Sequence, residues 1–343
     1  SGSTGDPFAI DPAGNMYVGG YTTSADNLGG MLKNAFDTGY QATGEGFLVK
    51  IDPTRAGNNS LVYATYVGVT GPDAVLSVKA DAAGNAYFVA GFSQCKQSEI
   101  QTPNGYKIVC DVASGSSAWA ELYAAKVGPN GGAIPLYATY VGGAGRDSLG
   151  FTSPDTGLGD PFAIDTSGNM YIGGSTANGN GWSLTGAFDQ TAVGWEGFLV
   201  KVDTNTTLGA SLKYATFVGG NSSDAVLSVK VDAVGNAYFV AGVMSCAGLP
   251  QPVNGYDTTC ASNTSNYYWY ELYAGKIGPS GAPGGTPLYT TYIGGAGVDR
   301  FGGGYHYFSS ADGLYYSVAY GRGDALAIDG QGRMYIGGYV ASN

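Results

Sequence analysis

A single turn sequence recurs five times and sets the terms for the rest of the chain. It reads Asp11-Pro12-Ala13-Gly14-Asn15-Met16-Tyr17-Val18 at its first occurrence and returns from Asp81, Asp165, Asp232 and Asp329. An aspartate side chain accepts hydrogen bonds from backbone amides two residues on, and the following glycine takes the positive φ that a Cβ resists. Apolar and aromatic residues begin directly afterwards, so each copy is predicted to close one strand, turn, and open the next. Five equivalent hairpin turns point to a modular all-β chain. Composition agrees. Hydrophobic residues make up 44%, which sets aside a disordered chain despite 59 glycines, and 27 tyrosines favour pleated, half-buried surfaces.

Around these turns four units share one a–b–c–d strand pattern. In the first, a is 7–10, b is 16–19, c is 46–51 and d is 61–67. In the second, a is 75–80, b is 87–90, c is 122–127 and d is 136–141. The third starts at Pro161, with c at 197–202 and d at 212–218; the fourth starts at Val226, with c at 272–277 and d at 288–293. Units one and three match best through Asp6-Pro7-Phe8-Ala9-Ile10-Asp11 and its copy at 160–165, and units two and four through 73–79 and 224–230. The chain is therefore a duplicated pair, 6–148 and 160–300, joined by a Gly/Pro/Asp-rich connector at 149–159. Residues 301–343 add an aromatic hairpin signal around Asp312-Gly313 and a fifth a–b pair. One domain over 1–343 is expected: a β-propeller of four-stranded antiparallel blades, four full units plus a fifth partial or atypical blade. Both ends then supply a–b strands, and no obvious c–d pair remains to close the ring.

These motifs resemble the SBBP family of β-propeller repeats. The first unit carries Gly20-Tyr21-Thr22-Thr23-Ser24, Asn34-Ala35-Phe36, Glu45-Gly46-Phe47-Leu48-Val49-Lys50 and Tyr63-Ala64-Thr65-Tyr66-Val67-Gly68. The third carries Gly186-Ala187-Phe188, Glu196 to Lys201 and Tyr214 to Gly220. Units two and four depart from the pattern with longer b–c loops that hold the cysteines. The resemblance covers nearly the whole chain and implies an extracellular or cell-surface propeller. It brings no catalytic residues with it.

Charge and cysteine usage narrow the function. Only 12% of residues are charged, with a net charge of −11 and no basic cluster, so neither nucleic acid nor an anionic lipid surface is an expected partner. No apolar run approaches the roughly 20 residues of a membrane helix, so membrane insertion is not expected. The cysteines fall in two matching local pairs, Cys95/Cys110 and Cys246/Cys260, each following the same repeated strand. Without Cys-x-x-Cys spacing and with His306 as the one histidine, the pairs read as disulfides rather than a metal site, placing the chain in an oxidising compartment.

The remaining candidates are repeated, which argues against a unique catalytic centre. Each unit has an acid five residues before a lysine: Glu45/Lys50, Glu121/Lys126, Glu196/Lys201 and Glu271/Lys276. That offset puts the two on opposite faces of a strand, so pairing between neighbouring blades is expected. The turn aspartates could hold a structural Ca²⁺, but they lack the dense acidic spacing of a dedicated loop, and backbone capping is preferred; no cofactor is expected. His306 sits between Tyr305 and Tyr307 with no nucleophile motif nearby and reads as part of an aromatic strand. Trp119, Trp182, Trp195, Tyr268 and Trp269 in the b–c loops are candidate ligand or interface aromatics, and Asn58, Asn205, Asn221 and Asn263 lie in glycosylation sequons. The expectation is a non-enzymatic extracellular or surface module that assembles with copies of itself through its terminal strands, as in a filament or sheath. The second reading is a carbohydrate-binding adhesion propeller using the loop aromatics; the third is a glycoside hydrolase or lyase.

Overall fold

The computed structural model describes residues 5–41, 44–94, 96, 98–111, 121–150, 159–261, 271–295, 299–302, 305–309, 314–318 and 324–340. It is all-β, built from several antiparallel four-stranded sheets. The first sheet is β1 (Phe8–Ile10), β2 (Met16–Thr22), β3 (Glu45–Ile51) and β4 (Leu61–Val67). The second is β5 (Asp73–Ala80), β6 (Ala86–Phe92), β7 (Glu121–Val127) and β8 (Tyr137–Val141). The third is β10 (Phe162–Ile164), β11 (Asn169–Thr176), β12 (Glu196–Asp203) and β13 (Leu212–Val218), with β9 (Asp147–Leu149) added beside β11. The fourth is β14 (Asp224–Val231), β15 (Ala237–Val243), β16 (Glu271–Ile277) and β17 (Tyr289–Ile293). Apart from β9, each of these four sheets is a meander in which neighbours in sequence are neighbours in space. The a–b–c–d expectation holds in all four units; every strand c is one or two residues longer than expected, while β1, β8 and β17 are one residue shorter.

Past the fourth sheet the chain forms three two-stranded ladders. β18 (Asp299–Phe301) pairs with β23 (Gly338–Val340), β19 (Tyr305–Ser309) with β20 (Leu314–Val318), and β21 (Leu326–Ile328) with β22 (Met334–Ile336). The aromatic hairpin expected at 305–318 is present. Among the described residues it pairs with no other strand, so the tail shows no four-stranded sheet. β9 and β10 both pair with β11, and in the tail β18 and β21 pair with the successive strands β23 and β22. In both regions strand a is split, a short first half (β9, β18) resuming after an insertion as β10 or β21. The segment read as a connector between halves is therefore an insertion within a strand.

Alternation along the strands explains how the sheets stack. In β1 and β2 the register Phe8↔Val18, Ala9↔Tyr17, Ile10↔Met16 puts Ala9 and Tyr17 on one face and Phe8, Ile10, Met16 and Val18 on the other. The Tyr17 face, with Leu48, Tyr63 and Val67, packs against Val75, Val78, Phe88 and Tyr123 of the second sheet. The second sheet's other face, including Leu76, Val89 and Leu122, packs against Phe162, Met170, Ile172 and Phe198 of the third. The third packs on the fourth through Tyr171, Leu199, Val226 and Phe239, and the fourth receives Phe301 and Leu326 of the tail. Each sheet is apolar on both faces because each interior sheet has two neighbours.

The b–c loops return along the outer edge of strand d. Lys33 and Thr185 bridge Ala64 and Ala215 antiparallel, while Asn104 bridges Ala138 in parallel. An edge that would otherwise present unpaired amides is thereby covered. This course carries the loop acids described next to the seams between sheets.

Candidate functional site

The repeated turn is a capping device. Asp11 Oδ1 accepts from the amides of Ala13 at 3.0 Å and Asn15 at 2.9 Å, and Oδ2 from Asn15 Nδ2 and the Tyr17 hydroxyl, both at 2.8 Å. Asp165 repeats the set with Ser167, Asn169 and Tyr171. The glycine takes φ +85° at Gly14 and +80° at Gly168, the left-handed region a Cβ disfavours. Tyr17 OH also lies 2.8 Å from the Gly84 carbonyl of the next turn, which Lys50 Nζ reaches at 2.9 Å. Both carboxyl oxygens of each turn aspartate are thus engaged by the turn itself.

Those lysines correct the expected ion-pair ladder. Lys50 donates to the carbonyls of Gly84 and Pro129 and Lys201 to that of Pro279, while Lys126 lies 3.4 Å from Thr204 Oγ1. They do cross to the next sheet, but to uncharged oxygens. Lys276 meets Asp232 of its own unit at 3.8 Å. Ion pairing between sheets is carried instead by Lys79 with Asp160 at 2.5 Å and by Lys230 with Asp324.

The glutamates opening strand c gather at a second recurring place, the seam between successive sheets. Glu45, Glu121, Glu196 and Glu271 are buried, as are the aspartates that open the following unit, Asp73, Asp147, Asp224 and Asp299. A Cβ on Gly68 would fall 1.7 Å from Glu45 Oε1 and 2.6 Å from Asp73 Oδ2. On Gly219 it would fall 1.9 Å from Glu196 Oε1 and 2.4 Å from Asp224 Oδ2, and on Gly294 2.3 Å and 2.1 Å from Glu271 Oε1 and Asp299 Oδ2. The two carboxyl groups therefore face each other at short range across a bare Cα. That contact explains the glycine after strand d.

One oxygen of each glutamate is well served. Oε2 accepts from the amide of Gln41, Asp111, Val193 or Ala261, whereas Oε1 has no hydrogen-bond partner in any of the four units. Burial pushes Glu45 and Asp73 up to about 8, Glu196 up to about 9, and Asp224 and Glu271 up to about 7, and neighbouring carboxylates push Glu45, Asp73, Glu196 and Glu271 the same way.

A loop residue completes each seam. Asp37, Lys107, Asp189 and Asp257 hold equivalent positions, each accepting on its backbone carbonyl from the strand-d amide of Tyr66, Tyr140, Phe217 or Tyr292. Three are acids and one is a lysine. Lys107 Nζ donates to the Gly142 carbonyl at 2.9 Å and stands 3.3 Å from Asp111 and 3.8 Å from Glu121 Oε1. Among the described residues no group of three His, Cys, Asp or Glu side chains is drawn together closely enough to hold a metal ion as it stands.

Trp182 packs its ring on Phe198 at 4.8 Å and Phe217 at 5.6 Å and donates Nε1 to Thr176 Oγ1. Trp195, half-buried, lies under the Arg146 guanidinium at 5.7 Å. Asn58, Asn205 and Asn221 are exposed, although Asn205 Nδ2 donates to the Ser167 carbonyl. Cys246 and Cys260 form a disulfide and Cys110 is disulfide-bonded. Cys95, Trp119, Asn263, Tyr268 and Trp269 lie outside the described residues, as does the side chain of His306. No described helix is long and apolar enough to cross a membrane.

The two ends of the stack differ from its middle. Phe8 and Ile10 are 43% and 58% exposed on the first sheet, and Tyr335 is 53% exposed on the last hairpin. The third sheet's counterpart of Phe8 is Phe162, which is fully buried, and the counterpart of Tyr335 is the buried Tyr171. On the first sheet the exposed part is the strip along β1, because Val49, Ala64 and Tyr66 of the same face are buried with Leu28 and Tyr40 of the b–c loop. No model of a known protein family matches the chain, and no curated protein matches it.

Proposed function

We propose that this chain is a non-enzymatic structural module that works outside the cytoplasm and assembles end to end with copies of itself. The sheets are read as blades of a β-propeller of the SBBP repeat kind, four complete and a fifth partial, whose ring is left open within one chain. The observation that carries the reading is the exposed strip of Phe8 and Ile10 along the edge of the first sheet, whose counterpart Phe162 on the third sheet is buried against the second. A strip whose counterpart accepts a sheet of this chain is complementary to another sheet of the same kind. The exposed parts of the two ends are different, so the contact is heterologous and propagates into a filament or a larger ring. The buried acids support a structural role. They recur at every seam and are closed to solvent, unlike a catalytic pair that must meet substrate. The Cys246–Cys260 disulfide supports an oxidising compartment.

Sedimentation across a range of concentrations tests the assembly. Association that grows with concentration and is lost in Phe8→Asp, with circular dichroism unchanged, supports it. A wild-type chain that stays monomeric at the highest attainable concentration overturns it, and then a flanking segment of the same polypeptide or an unrelated partner covers that strip.

A further inference from the structure

We propose that the seams of units one, three and four each bind a hard divalent cation of the Ca²⁺ class, at the place where unit two carries the Lys107 ammonium. The chain itself makes the comparison. At the seams of units one, three and four a buried glutamate and a buried aspartate meet over a glycine, in unit two Asp147 lies over Gly142, and all four glutamates leave Oε1 without a hydrogen bond. In unit two a positive charge stands near that oxygen: Lys107 Nζ lies 3.8 Å from Glu121 Oε1 and donates to the Gly142 carbonyl. In the other three units the equivalent loop residue is Asp37, Asp189 or Asp257, which replaces a resident cation with one more anion.

Removing a cation while adding an acid changes the local charge by two units in a buried place. Buried carboxylates without a counterion are costly, and two at short range do not both ionise unless something positive lies between them. A divalent ion supplies what the lysine supplies in unit two. The donors suit it, since Ca²⁺ takes six to eight oxygens from carboxylates and backbone carbonyls in flexible geometry. Glu196 Oε1 and Asp224 Oδ2, the latter already accepting from the Gly220 amide at 2.7 Å, would supply the inner set at unit three. Asp189 Oδ1 accepts from the Thr191 amide at 2.9 Å, and its carboxylate would have to swing inward to close on the ion. Units one and four offer the same set through Glu45, Asp73, Asp37 and through Glu271, Asp299, Asp257. Such an ion would clamp a sheet to the first strand of the next unit. The capping turns are not part of this site, because none of them has a buried carboxyl oxygen without a partner.

Equilibrium dialysis of chelator-stripped protein against Ca²⁺ tests the proposal. Three ions per chain are expected, with Lys107→Asp raising the count to four and Asp189→Lys lowering it to two. Tb³⁺ luminescence excited through Trp195, next to Glu196, gives a local readout, and Glu196→Gln is expected to weaken that signal's titration at least tenfold. The wild-type chain alone already decides the main point should a variant fail to fold. No saturable Ca²⁺ uptake by the wild type overturns the proposal and leaves protons as the occupants. A wild-type count other than three, or a count indifferent to Lys107→Asp and Asp189→Lys in folded protein, overturns it equally.

Discussion

The hexapeptide Asp-Pro-Phe-Ala-Ile-Asp occurs at 6–11 and again at 160–165, and the two copies fold into the same short strand against the same turn. Their surroundings differ. Phe162 lies in the core formed with the second sheet, along with Met170, Ile172 and Phe198, whereas Phe8 is 43% exposed. Local sequence sets the strand and the turn, while burial is set by which sheet lies opposite. The exposed copy therefore presents to solvent a phenylalanine that the interior copy buries.

The largest effect expected from this comparison is on stability. Phe162→Ala empties a closed core and is expected to cost about 3–5 kcal/mol in urea unfolding, whereas Phe8→Ala in the dilute chain costs under about 1 kcal/mol. Equal losses would break the comparison. Gly219→Ala is next: its Cβ would collide with Glu196 and Asp224, for an expected loss of about 1–3 kcal/mol. Gly68→Ala should match it, because that seam lies on the covered face of the first sheet.

The pH dependence sharpens the same distinction. The seam carboxyls titrate higher in the folded chain than in the unfolded one, so the folded chain holds more protons between about pH 4.5 and the range of 7 to 9. Stability without divalent ions is therefore full below the unfolded pKa values and falls as pH rises through the folded ones. Each titrating carboxyl contributes a slope of up to about 1.4 kcal/mol per pH unit. Glu45→Gln and Glu196→Gln should flatten the curve alike, checked by thermal melts from pH 4 to pH 9. The smallest effect is at the turns, where Asp11→Ala and Asp165→Ala should each cost about 1 kcal/mol, as lost caps do. A large difference between them would mean that the first sheet is weaker for reasons beyond its exposed strip.

Much of this architecture is legible in the sequence because it is local. The Asp-x-x-Gly turn declares its own geometry, and strands such as Gly46–Ile51 and Leu61–Val67 declare themselves by residue type. What escaped is set by pairing across the fold. The split of strand a by the insertions after Leu149 and Phe301 shows only once β9 and β18 are seen beside β11 and β23. The seam acids are hidden in the sequence because each glutamate stands close to a lysine of its own strand. Its true neighbour lies in the next unit: Asp73 follows Glu45, Asp224 follows Glu196 and Asp299 follows Glu271 at the same interval of 28 residues. That constant spacing, with a glycine before each aspartate, is the signal that would have found the seam. Lys107 stands out only once its carbonyl is seen bonded to Tyr140 as that of Asp37 is to Tyr66.

Hydrogen exchange of Phe8–Ile10 against Phe162–Ile164, followed as protein concentration rises, tests the central claim most directly. The account predicts weaker protection of the first copy in dilute solution, rising toward that of the second as chains associate, with the second unchanged. Protection of Phe8–Ile10 that stays low and constant at every concentration would contradict it.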